Sequence, residues 1–392
     1  MFKKNKMLIV HGGAPTSVIN ASLYGVLKYA KKSEFVNEIL GAIGGTEGIL
    51  KKQFLSLSAL QDKEIDKLPY TPGSFIGTSR TPLSDNDYIA MIDVFLENNI
   101  RFVLFNGGNG TMDTCRKLFE MSVEMGVANK IFIVGIPKTI DNDLSNVDHS
   151  PGFPSAARYV AVTVAEIAED VRSLPIHVCI IELMGRNAGW LTAASAVSRK
   201  ITDGGPHLIY LPERSFDKNE FLKSVKEHWD KENGVVVCVS EGLKDKNGSP
   251  IVAPTLEDGR SVYYGDVGAY LSKLVSENLK IKCRYEKPGI AGRASISLQS
   301  SVDVNEAVLC GEIAAKIVLE EKTGVMIAIN RKDYKKYEAS YDIINLTTID
   351  LTEKIMPDSF ISESGNDITD DFLEWVTPLI GDIDEFAKVI YK

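Results

Sequence analysis

Residues 130–143 read KIFIVGIPKTIDND, and they predict both a strand and the chemistry at its end. The apolar run KIFIVGI is typical of a buried strand, and the polar residues after it come where the chain returns to the surface. Lys138 stands just before two carboxylates, Asp141 and Asp143. One carboxylate can accept a hydroxyl proton, the other can help to hold a metal ion, and the lysine can neutralise phosphate oxygens. The loop therefore suits phosphoryl transfer to a hydroxyl group, although such a pair of aspartates alone would more often be a polar turn.

The same design recurs along the chain as an apolar run, a loop and a helical pattern. Continuous runs rich in Val and Ile favour parallel strands that are buried on both faces. The expected fold class is therefore α/β, with two Rossmann-like lobes of mostly parallel sheet and helices on both faces. In such sheets ligands bind beyond the carboxyl ends of the strands, so the loops can converge on one place. The further runs are MLIVH (7–11), FVLFN (102–106), VCIIEL (178–183), HLIYL (207–211) and VVVCVS (235–240).

The composition excludes several classes of protein. The 392 residues, 44% hydrophobic and 25% charged, suit a globular protein with two sizeable lobes. A net charge of −9 without a long basic run argues against nucleic-acid binding. No apolar run approaches the roughly 20 residues of a membrane span, and the first residues read as a strand rather than a signal peptide. Five widely spaced cysteines without a C-x-x-C motif fit a reducing cytoplasm.

Glycine-rich loops follow two of the predicted strands. HGGAPTS (11–17) and GGNGT (107–111) each lie between a strand and a helix. Glycine lets the backbone approach a ligand closely, and the N–H groups at a helix N-terminus bind phosphate. Neither loop is a Walker A or a dinucleotide-binding motif, and each alone could be a turn that starts a helix. Two of them at strand ends favour a polyphosphate ligand.

Four further loops carry side chains suited to phosphate or hydroxyl groups. Arginine matches phosphate oxygens with its planar guanidinium group, and a carboxylate at a strand end can accept hydrogen bonds from sugar hydroxyls. Each such residue taken singly is more often an ordinary surface residue, but their occurrence together favours a functional site. They are Arg80 in GTSR (77–80), Arg186 in MGRNAGW (184–190), Glu241 in SEG (240–242), and Arg284 and Arg293 in RYEKPGIAGR (284–293).

Together these motifs make the chain resemble the phosphofructokinase family from Met7 to about Ala307. The most specific feature is PKTIDND followed about forty residues later by MGRNAGW. GGNGT, the GF-x-SA stretch at 152–156, SEG and the pair of arginines with eight residues between them add to it. The resemblance implies phosphoryl transfer to the C1 hydroxyl of fructose 6-phosphate in glycolysis, with Mg²⁺ as cofactor. It also implies a homodimer or homotetramer whose sugar-phosphate sites are completed across an interface.

The resemblance further implies a role for each motif residue. Asp141 would be the general base, Asp143 and Asn109 would hold Mg²⁺, and Lys138 and Arg186 would supply positive charge. The donor phosphates would be bound by Gly12, Gly13, Arg80, Gly108, Gly110 and Thr111. The sugar phosphate would be bound by Thr139, Ile140, Asp141, Met184, Gly185, Arg186, Glu241, Arg284 and Arg293. Residues 1–145 would form the donor lobe, to which part of the C-terminal region could return, 146–310 the sugar-phosphate lobe, and 311–392 C-terminal helices and a cap.

Several positions depart from the family pattern. Asn109 stands where the family usually has Asp, and a neutral amide can coordinate Mg²⁺ but adds no negative charge. Ile290 occupies a position that is often His, and His177 one that is often an arginine reaching the neighbouring subunit. The first glycine loop is one residue shorter than usual. These departures predict weaker metal and sugar-phosphate contacts than the family pattern provides.

Two positions indicate different phosphoryl donors. Lys138 is typical of pyrophosphate users, since a lysine can hold the charge of a phosphate leaving group. Gly110 is typical of ATP users, because pyrophosphate users often have an Asp there that occupies and repels the α-phosphate of ATP. The carboxylate is the excluding group and it is absent here. On balance we expect ATP to be accepted, and the alternative is pyrophosphate as the sole donor.

Two other functions compete with this reading. A nicotinamide oxidoreductase would need G-x-G-x-x-G after the first strand, and HGGAPTSV lacks that spacing. A regulatory subunit that binds sugar phosphate without turnover would fit Asn109. Because Asp141 and Asp143 are both present, and a pure binding protein has no need of a base, an enzyme is favoured.

Overall fold

The computed structural model describes residues 5–258, 261–263, 265–333, 337–349 and 352–387. These residues form two units, each built around its own sheet. The first unit contains residues 1–155 and 293–353, and the second contains 156–292 and 354–392. The bounds differ from the sequence-based ranges 1–145, 146–310 and 311–392, which allowed part of the C-terminal region to return to the first lobe. Here residues 293–353 return, and they supply a long helix and two strands to the first unit.

The first unit has a seven-stranded sheet in the order β13-β12-β5-β4-β1-β2-β3, with strands numbered along the chain. Five strands run parallel, and β3 and β13 pair antiparallel at the two edges. The strands are β1 (Lys6–His11), β2 (Glu38–Ala42), β3 (Phe54–Ser56), β4 (Ile100–Gly107), β5 (Phe132–Pro137), β12 (Val325–Asp333) and β13 (Glu338–Asn345).

Helices cover both faces of this sheet. Successive residues of a strand point to opposite faces of the sheet. Val103 therefore packs in a core with α4 (Asp85–Glu97) and α5 (Asn109–Glu124), and Leu104 packs in a second core with α1 (Ile19–Ala30) and α11 (Ser301–Leu319). Burial on both faces explains why the strands read as unbroken apolar runs. The helices are α1 (Ile19–Ala30), α2 (Thr46–Leu50), α3 (Asp62–Ile65), α4 (Asp85–Glu97), α5 (Asn109–Glu124) and α11 (Ser301–Leu319), with 3₁₀ turns at Leu57–Ala59 and Leu68–Tyr70.

The second unit has a four-stranded parallel sheet in the order β11-β6-β8-β7 and a separate antiparallel pair of strands. Its main strands are β6 (Val178–Leu183), β7 (Leu208–Tyr210), β8 (Val235–Ser240) and β11 (Cys283–Glu286), and β9 (Leu256–Asp258) pairs with β10 (Ser261–Tyr263). Side chains of α8 (Lys218–Glu232) and α9 (Val267–Leu279) pack on one face of the four-stranded sheet.

The remaining helices belong to this unit or to its boundary with the first. The boundary falls within α6 (Phe153–Ser173) and within the short α10 (Ala291–Ala294). The others are α7 (Trp190–Ala194), α8 (Lys218–Glu232), α9 (Val267–Leu279) and α12 (Asp370–Ile380), with 3₁₀ turns at Ser195–Lys200 and Asp358–Phe360.

The expected fold class is confirmed. All six apolar runs named from the sequence form strands, and the sheets are mostly parallel, with helices on both faces of the larger one. Within the described ranges, no helix combines the length and apolarity that crossing a membrane needs. The five cysteines carry free thiols, and Cys179 and Cys238 are buried in β6 and β8.

Candidate active site

Three loops begin side by side at the carboxyl edge of the first unit's sheet. The register pairs His11 of β1 with Asn106 of β4, and Gly107 of β4 with Pro137 of β5. Parallel strands in register deliver their following loops to the same edge. The loops HGGAPTS, GGNGT and PKTIDND are therefore neighbours.

Lys138 links all three loops. Its Nζ donates to the carbonyl oxygens of Gly12 at 3.0 Å and Ala14 at 2.6 Å, and its backbone N–H donates to the carbonyl of Gly107 at 3.0 Å. The side chain is buried, and burial, together with the charge of Arg80, lowers the pKa of Lys138 to about 8. A lysine held in this way keeps a cation at the junction of the two glycine loops.

The first glycine loop is also paired with GTSR. Gly12 forms a β-bridge with Ser79, the N–H of Gly13 donates to the Ser79 carbonyl at 3.1 Å, and Thr78 Oγ1 donates to the Gly13 carbonyl at 2.7 Å. Gly13 has φ of 73°, a left-handed conformation that disfavours side chains. This pairing delivers the exposed Arg80 to the same region, where its charge lowers the pKa of Lys138.

Asp143 is held by two polar side chains. Thr139 Oγ1 donates to its Oδ1 at 3.0 Å, and Asn109 Nδ2 donates to its Oδ2 at 3.1 Å and to its carbonyl at 3.0 Å. A carboxylate can only accept hydrogen bonds, so the amide nitrogen of Asn109 must face Asp143, and the amide oxygen of Asn109, its Oδ1, points away from that carboxylate. Among the described residues, that buried Oδ1 has no hydrogen-bond partner.

Asp141 lies in a loop that is hydrogen-bonded on both sides of it. Its N–H donates to Thr139 Oγ1 at 3.1 Å, and the next residue, Asn142, accepts at Oδ1 from the N–H of Ser150 at 3.1 Å. Asp141 itself is half-buried, and its charge acts on Lys138 and Arg293, opposing the lowering of their pKa values by burial. The structure thus brings Asp141 together with Lys138, Arg80 and Arg293 in the first unit.

The GGNGT loop forms the N-terminus of α5, which begins at Asn109. A Cβ on Gly107 would lie 2.1 Å from Thr111 Oγ1, and a Cβ on Gly12 would lie 2.3 Å from it. The Thr111 side chain therefore packs against both glycine loops. A Cβ on Gly110 would meet no atom within 4 Å. Gly110 therefore faces open space at the helix N-terminus.

Two motifs of the second unit also meet. The register pairs Leu183 of β6 with Ser240 of β8, whose hydroxyl donates to the Gly185 carbonyl at 2.5 Å. Burial and the nearby charge of Glu182 raise the pKa of Glu241, which accepts from the Gly185 N–H at 3.4 Å. The MGR and SEG motifs therefore form one cluster, with Met184, Gly185, Arg186 and Glu241 at the ends of adjacent strands.

The arginine pair is divided between the two units. Arg293 lies in the first unit, and Arg284 is exposed on the edge strand β11 of the second. Arg284 pairs with Cys179, five residues before Met184, so at ~3.3 Å per residue it lies roughly 16 Å along the sheet from the MGR motif. It lies instead beside His177, whose pKa is lowered by burial and by the charge of Arg284. Ile290 is exposed.

Sequence reasoning missed the role of His11. Ser74 Oγ donates to the Gly77 carbonyl at 2.7 Å, so it must accept from Nδ1–H of His11 at 2.8 Å, and this assigns the tautomer. Burial, then the charge of Lys138, lowers the pKa of His11 to about 3. A neutral imidazole thus closes the end of β1 beneath the first glycine loop, and a histidine directly before Gly-Gly is the signal that could have found it.

The motifs and the fold agree with comparisons against known proteins. The family model described as Phosphofructokinase matches residues 6–331. The pyrophosphate–fructose 6-phosphate 1-phosphotransferase of Rhodospirillum rubrum is 36% identical over 387 residues, covering 96% of this chain and 95% of that protein. A sulfofructose kinase of Alkalicoccus urumqiensis is 32% identical over 361 residues, covering 91% and 92%. The crystal structure of a pyrophosphate-dependent phosphofructokinase from Marinobacter aquaeolei superposes with a TM-score of 0.88 at 31% identity, covering 99% of this chain and 94% of that one. The chain therefore belongs to the phosphofructokinase family of phosphotransferases.

Proposed function

We propose that this protein transfers a phosphoryl group from pyrophosphate to the C1 hydroxyl of fructose 6-phosphate. The observation that carries the proposal is Lys138, a buried cation bonded to the first glycine loop through Gly12 and Ala14. The expectation from sequence favoured ATP because Gly110 lacks a carboxylate. The relative from Rhodospirillum rubrum and the structure from Marinobacter aquaeolei are both named for pyrophosphate, and they favour the alternative.

The donor side of the proposed reaction depends on charge. Pyrophosphate has no nucleoside through which to gain binding energy, so its phosphates must be held by cations and backbone N–H groups. Lys138, Arg80 and the N-terminal N–H groups of α5 supply these groups in the first unit. Two hydrogen bonds already fix the Lys138 side chain, so it needs to move little to stabilise the negative charge that develops on the leaving phosphate.

On the acceptor side, Asp141 takes the proton of the sugar hydroxyl as that oxygen attacks. Its loop is fastened by Thr139 and Asn142, which limits the positions the carboxylate can adopt. In the second unit, we assign Arg186 and Glu241 to binding of the sugar phosphate, with Met184 and Gly185 as further contacts at the ends of the same adjacent strands. The isolated position of Arg284 on an edge strand supports its use by a second copy of the chain, as a homodimer or homotetramer would allow.

The residues present also fit a Mg²⁺ ion. Mg²⁺ is usually held by one or two carboxylates together with substrate phosphates. Asp143 offers its carboxylate, and Asn109, whose buried Oδ1 has no hydrogen-bond partner among the described residues, would supply a second oxygen ligand if its amide turned over. Bound there, the ion would neutralise charge on the transferred phosphoryl group. Because Asn109 is neutral, the site depends more on the substrate phosphates than one with two carboxylates.

The test is product formation with each donor. Purified protein is assayed for fructose 1,6-bisphosphate with pyrophosphate and with ATP, each with and without Mg²⁺. We expect kcat/KM for pyrophosphate to exceed that for ATP by at least tenfold, and turnover to need Mg²⁺. A preference for ATP would overturn the donor assignment, and binding of fructose 6-phosphate without turnover by either donor would indicate a regulatory subunit.

Gly110→Asp is expected to leave pyrophosphate turnover within about threefold of the parent and to weaken ATP use or ATP inhibition at least tenfold. The new side chain enters open space, so no steric penalty is expected. Its carboxylate would repel the α-phosphate of ATP, which pyrophosphate lacks. Steady-state kinetics and the inhibition constant of ATP against pyrophosphate measure both effects.

The matched control is Gly110→Asn, which adds nearly the same volume without charge. If both variants weaken ATP equally, the effect is steric. If Gly110→Asp retains the full ATP response of the parent, the charge argument is wrong.

Sulfofructose is a second candidate for the phosphoryl acceptor. The sulfofructose kinase of Alkalicoccus urumqiensis is as similar to this chain as the pyrophosphate-dependent enzyme of Halomonas elongata, at 32% identity each. A sulfonate carries one negative charge, whereas a phosphate monoester carries close to two at neutral pH. Ile290 stands where the family often has His, and His177 where it often has an arginine, so these two positions carry less positive charge than the family pattern, which suits a singly charged group. A kcat/KM for sulfofructose above that for fructose 6-phosphate would assign this acceptor instead.

A further inference from the structure

The segment that follows PKTIDND is fastened to α11 by two buried carboxylates. Asp303 accepts from the N–H of Gly152 at 2.9 Å and from that of Ser155 at 3.0 Å. Glu306, one turn later on the same helix, accepts from Nε2 of His149 at 2.6 Å. Helix α11 therefore holds both ends of the segment 149–155.

His149 is the centre of a buried cluster, the His149 cluster, consisting of Asp148, His149, Glu306, Arg331 and Tyr337. The side chain of His149 is 1% exposed. Its Nδ1 faces Asp148 Oδ2 at 2.8 Å, the same oxygen accepts from Arg331 at 3.2 Å, and Tyr337 donates its hydroxyl to Glu306. Both ring nitrogens of His149 face carboxylate oxygens, and both can donate only when the ring is an imidazolium.

The charge of this imidazolium follows from its neighbours. Burial opposes it, but Glu306 and Asp148 outweigh burial and raise the pKa of His149 to about 9. Asp303, Tyr341 and Cys310 also lie within electrostatic reach of Glu306. At neutral pH the cluster thus contains two cations and two carboxylates in a nearly dry environment.

Two hydrogen bonds, each donated by a backbone N–H group, connect the cluster to the loop that contains Asp141. The N–H of Thr139 donates to the Pro151 carbonyl at 3.2 Å, and the N–H of Ser150 donates to Asn142 Oδ1 at 3.1 Å. Thr139 and Asn142 lie on either side of Asp141. Residues next to His149 therefore hold the loop before and after the proposed base.

We propose that His149 and Glu306 are positioning residues that set the place of the Asp141 carboxylate through the segment 148–152. The proposal rests on the function proposed above, in which Asp141 is the base. Removing one partner of a buried ion pair leaves an uncompensated charge, whereas replacing both with hydrogen-bonding neutral groups does not. The two residues are therefore expected to behave as a coupled pair.

The test uses His149→Gln, Glu306→Gln and the double variant. We expect each single variant to lower kcat about tenfold with KM for the sugar within twofold, because a displaced base slows chemistry without removing sugar contacts. In the double variant two amides can bond to each other, so kcat should recover to within about threefold of the parent. A drop in the double variant equal to the product of the two single drops would overturn the coupling.

Histidine-selective NMR supplies a readout that loss of stability alone would not change. The parent should show an imidazolium signal from His149 at pH 8, with a titration midpoint near 9. This signal should be absent in His149→Gln. In Glu306→Gln, His149 should instead give the signal of a neutral ring. The matched control is His207→Gln, since His207 pairs with Glu232 at 2.9 Å in the second unit. It should leave kcat unchanged.

The outcomes separate this proposal from the function itself. If the parent turns over neither donor, the proposed function fails, whatever the NMR shows. If the parent is active and folded His149→Gln and Glu306→Gln keep kcat within twofold, the positioning role is wrong and the function stands. Tyr337→Phe, which removes one bond to Glu306, gives a milder variant in case the others do not fold, and it should lower kcat about threefold.

Discussion

Asp141→Asn is expected to lower kcat about 10³-fold while the dissociation constant of the sugar phosphate changes less than about threefold, within the range that general base catalysis supplies. The amide has nearly the shape of the carboxylate, so the loop held by Thr139 and Asn142 should persist. What is lost is the group that takes the hydroxyl proton. Steady-state kinetics with the preferred donor and calorimetric titration of the sugar phosphate measure the two quantities.

Asp93→Asn is the matched control for this prediction. Asp93 is exposed on α4, so the same chemical change there should leave kcat unchanged. If Asp141→Asn kept more than a tenth of the parent kcat, another group would have to be the base. A loss of sugar-phosphate binding equal to the loss of kcat would make Asp141 a binding residue.

Lys138→Met is expected to lower kcat/KM for pyrophosphate about 10³-fold. The methionine fills a similar volume but removes both the charge beside the donor phosphates and the two bonds to Gly12 and Ala14. Charge-assisted contacts to phosphate are among the stronger hydrogen bonds in proteins, which supports an effect of this size. Initial rates over a range of pyrophosphate concentrations give the ratio.

Lys138→Gln separates the two contributions, since glutamine can donate to carbonyl groups without carrying charge. If charge dominates, this variant should be nearly as slow as Lys138→Met. If Lys138→Gln kept pyrophosphate turnover within threefold of the parent, Lys138 would serve only to join the loops.

The pH dependence of the parent gives an independent check on Lys138. Burial, then the charge of Arg80, lowers its pKa from 10.5 to about 8, so the ammonium form is present below that value and is lost as pH rises through it. KM for pyrophosphate should therefore rise about tenfold per pH unit above 8. The rise should be missing in Lys138→Met, and a parent KM that stays constant to pH 9.5 would contradict the assignment.

Much of the fold follows from local patterns. The runs at 7–11, 102–106 and 178–183 all form strands, because side chains buried on both faces of a parallel sheet must be apolar throughout. The loops that follow them contain most of the candidate residues, since ligands of such sheets bind at the carboxyl ends. Specific motifs such as PKTIDND and MGRNAGW were enough to identify the family, and the comparisons confirm it.

The sequence-based prediction was weaker where distant segments meet. It placed the division between lobes near residues 145 and 310 and expected part of the C-terminal region to return to the first lobe, but it did not identify the returning residues, which are 293–353 with α11, β12 and β13. It assigned Arg284 and Arg293 to the same sugar phosphate, and the two residues lie in different units. The expectation that ATP is accepted depended on the missing carboxylate at Gly110, whereas the relative from Rhodospirillum rubrum and the structure from Marinobacter aquaeolei are named for pyrophosphate.

The local sequence was therefore sufficient for the strands, for the glycine loops that follow them and for the position of Asp141 and Lys138 directly after β5, since each depends on residue type and short spacing. The partners of those residues are long-range contacts. Lys138 is 126 residues from Gly12, and His149 is 157 residues from Glu306. No local pattern encodes which carbonyl or carboxylate will satisfy a buried charge, because packing of the whole sheet and its helices determines that choice. The link between the two glycine loops through Lys138 and the His149 cluster became visible only with the fold.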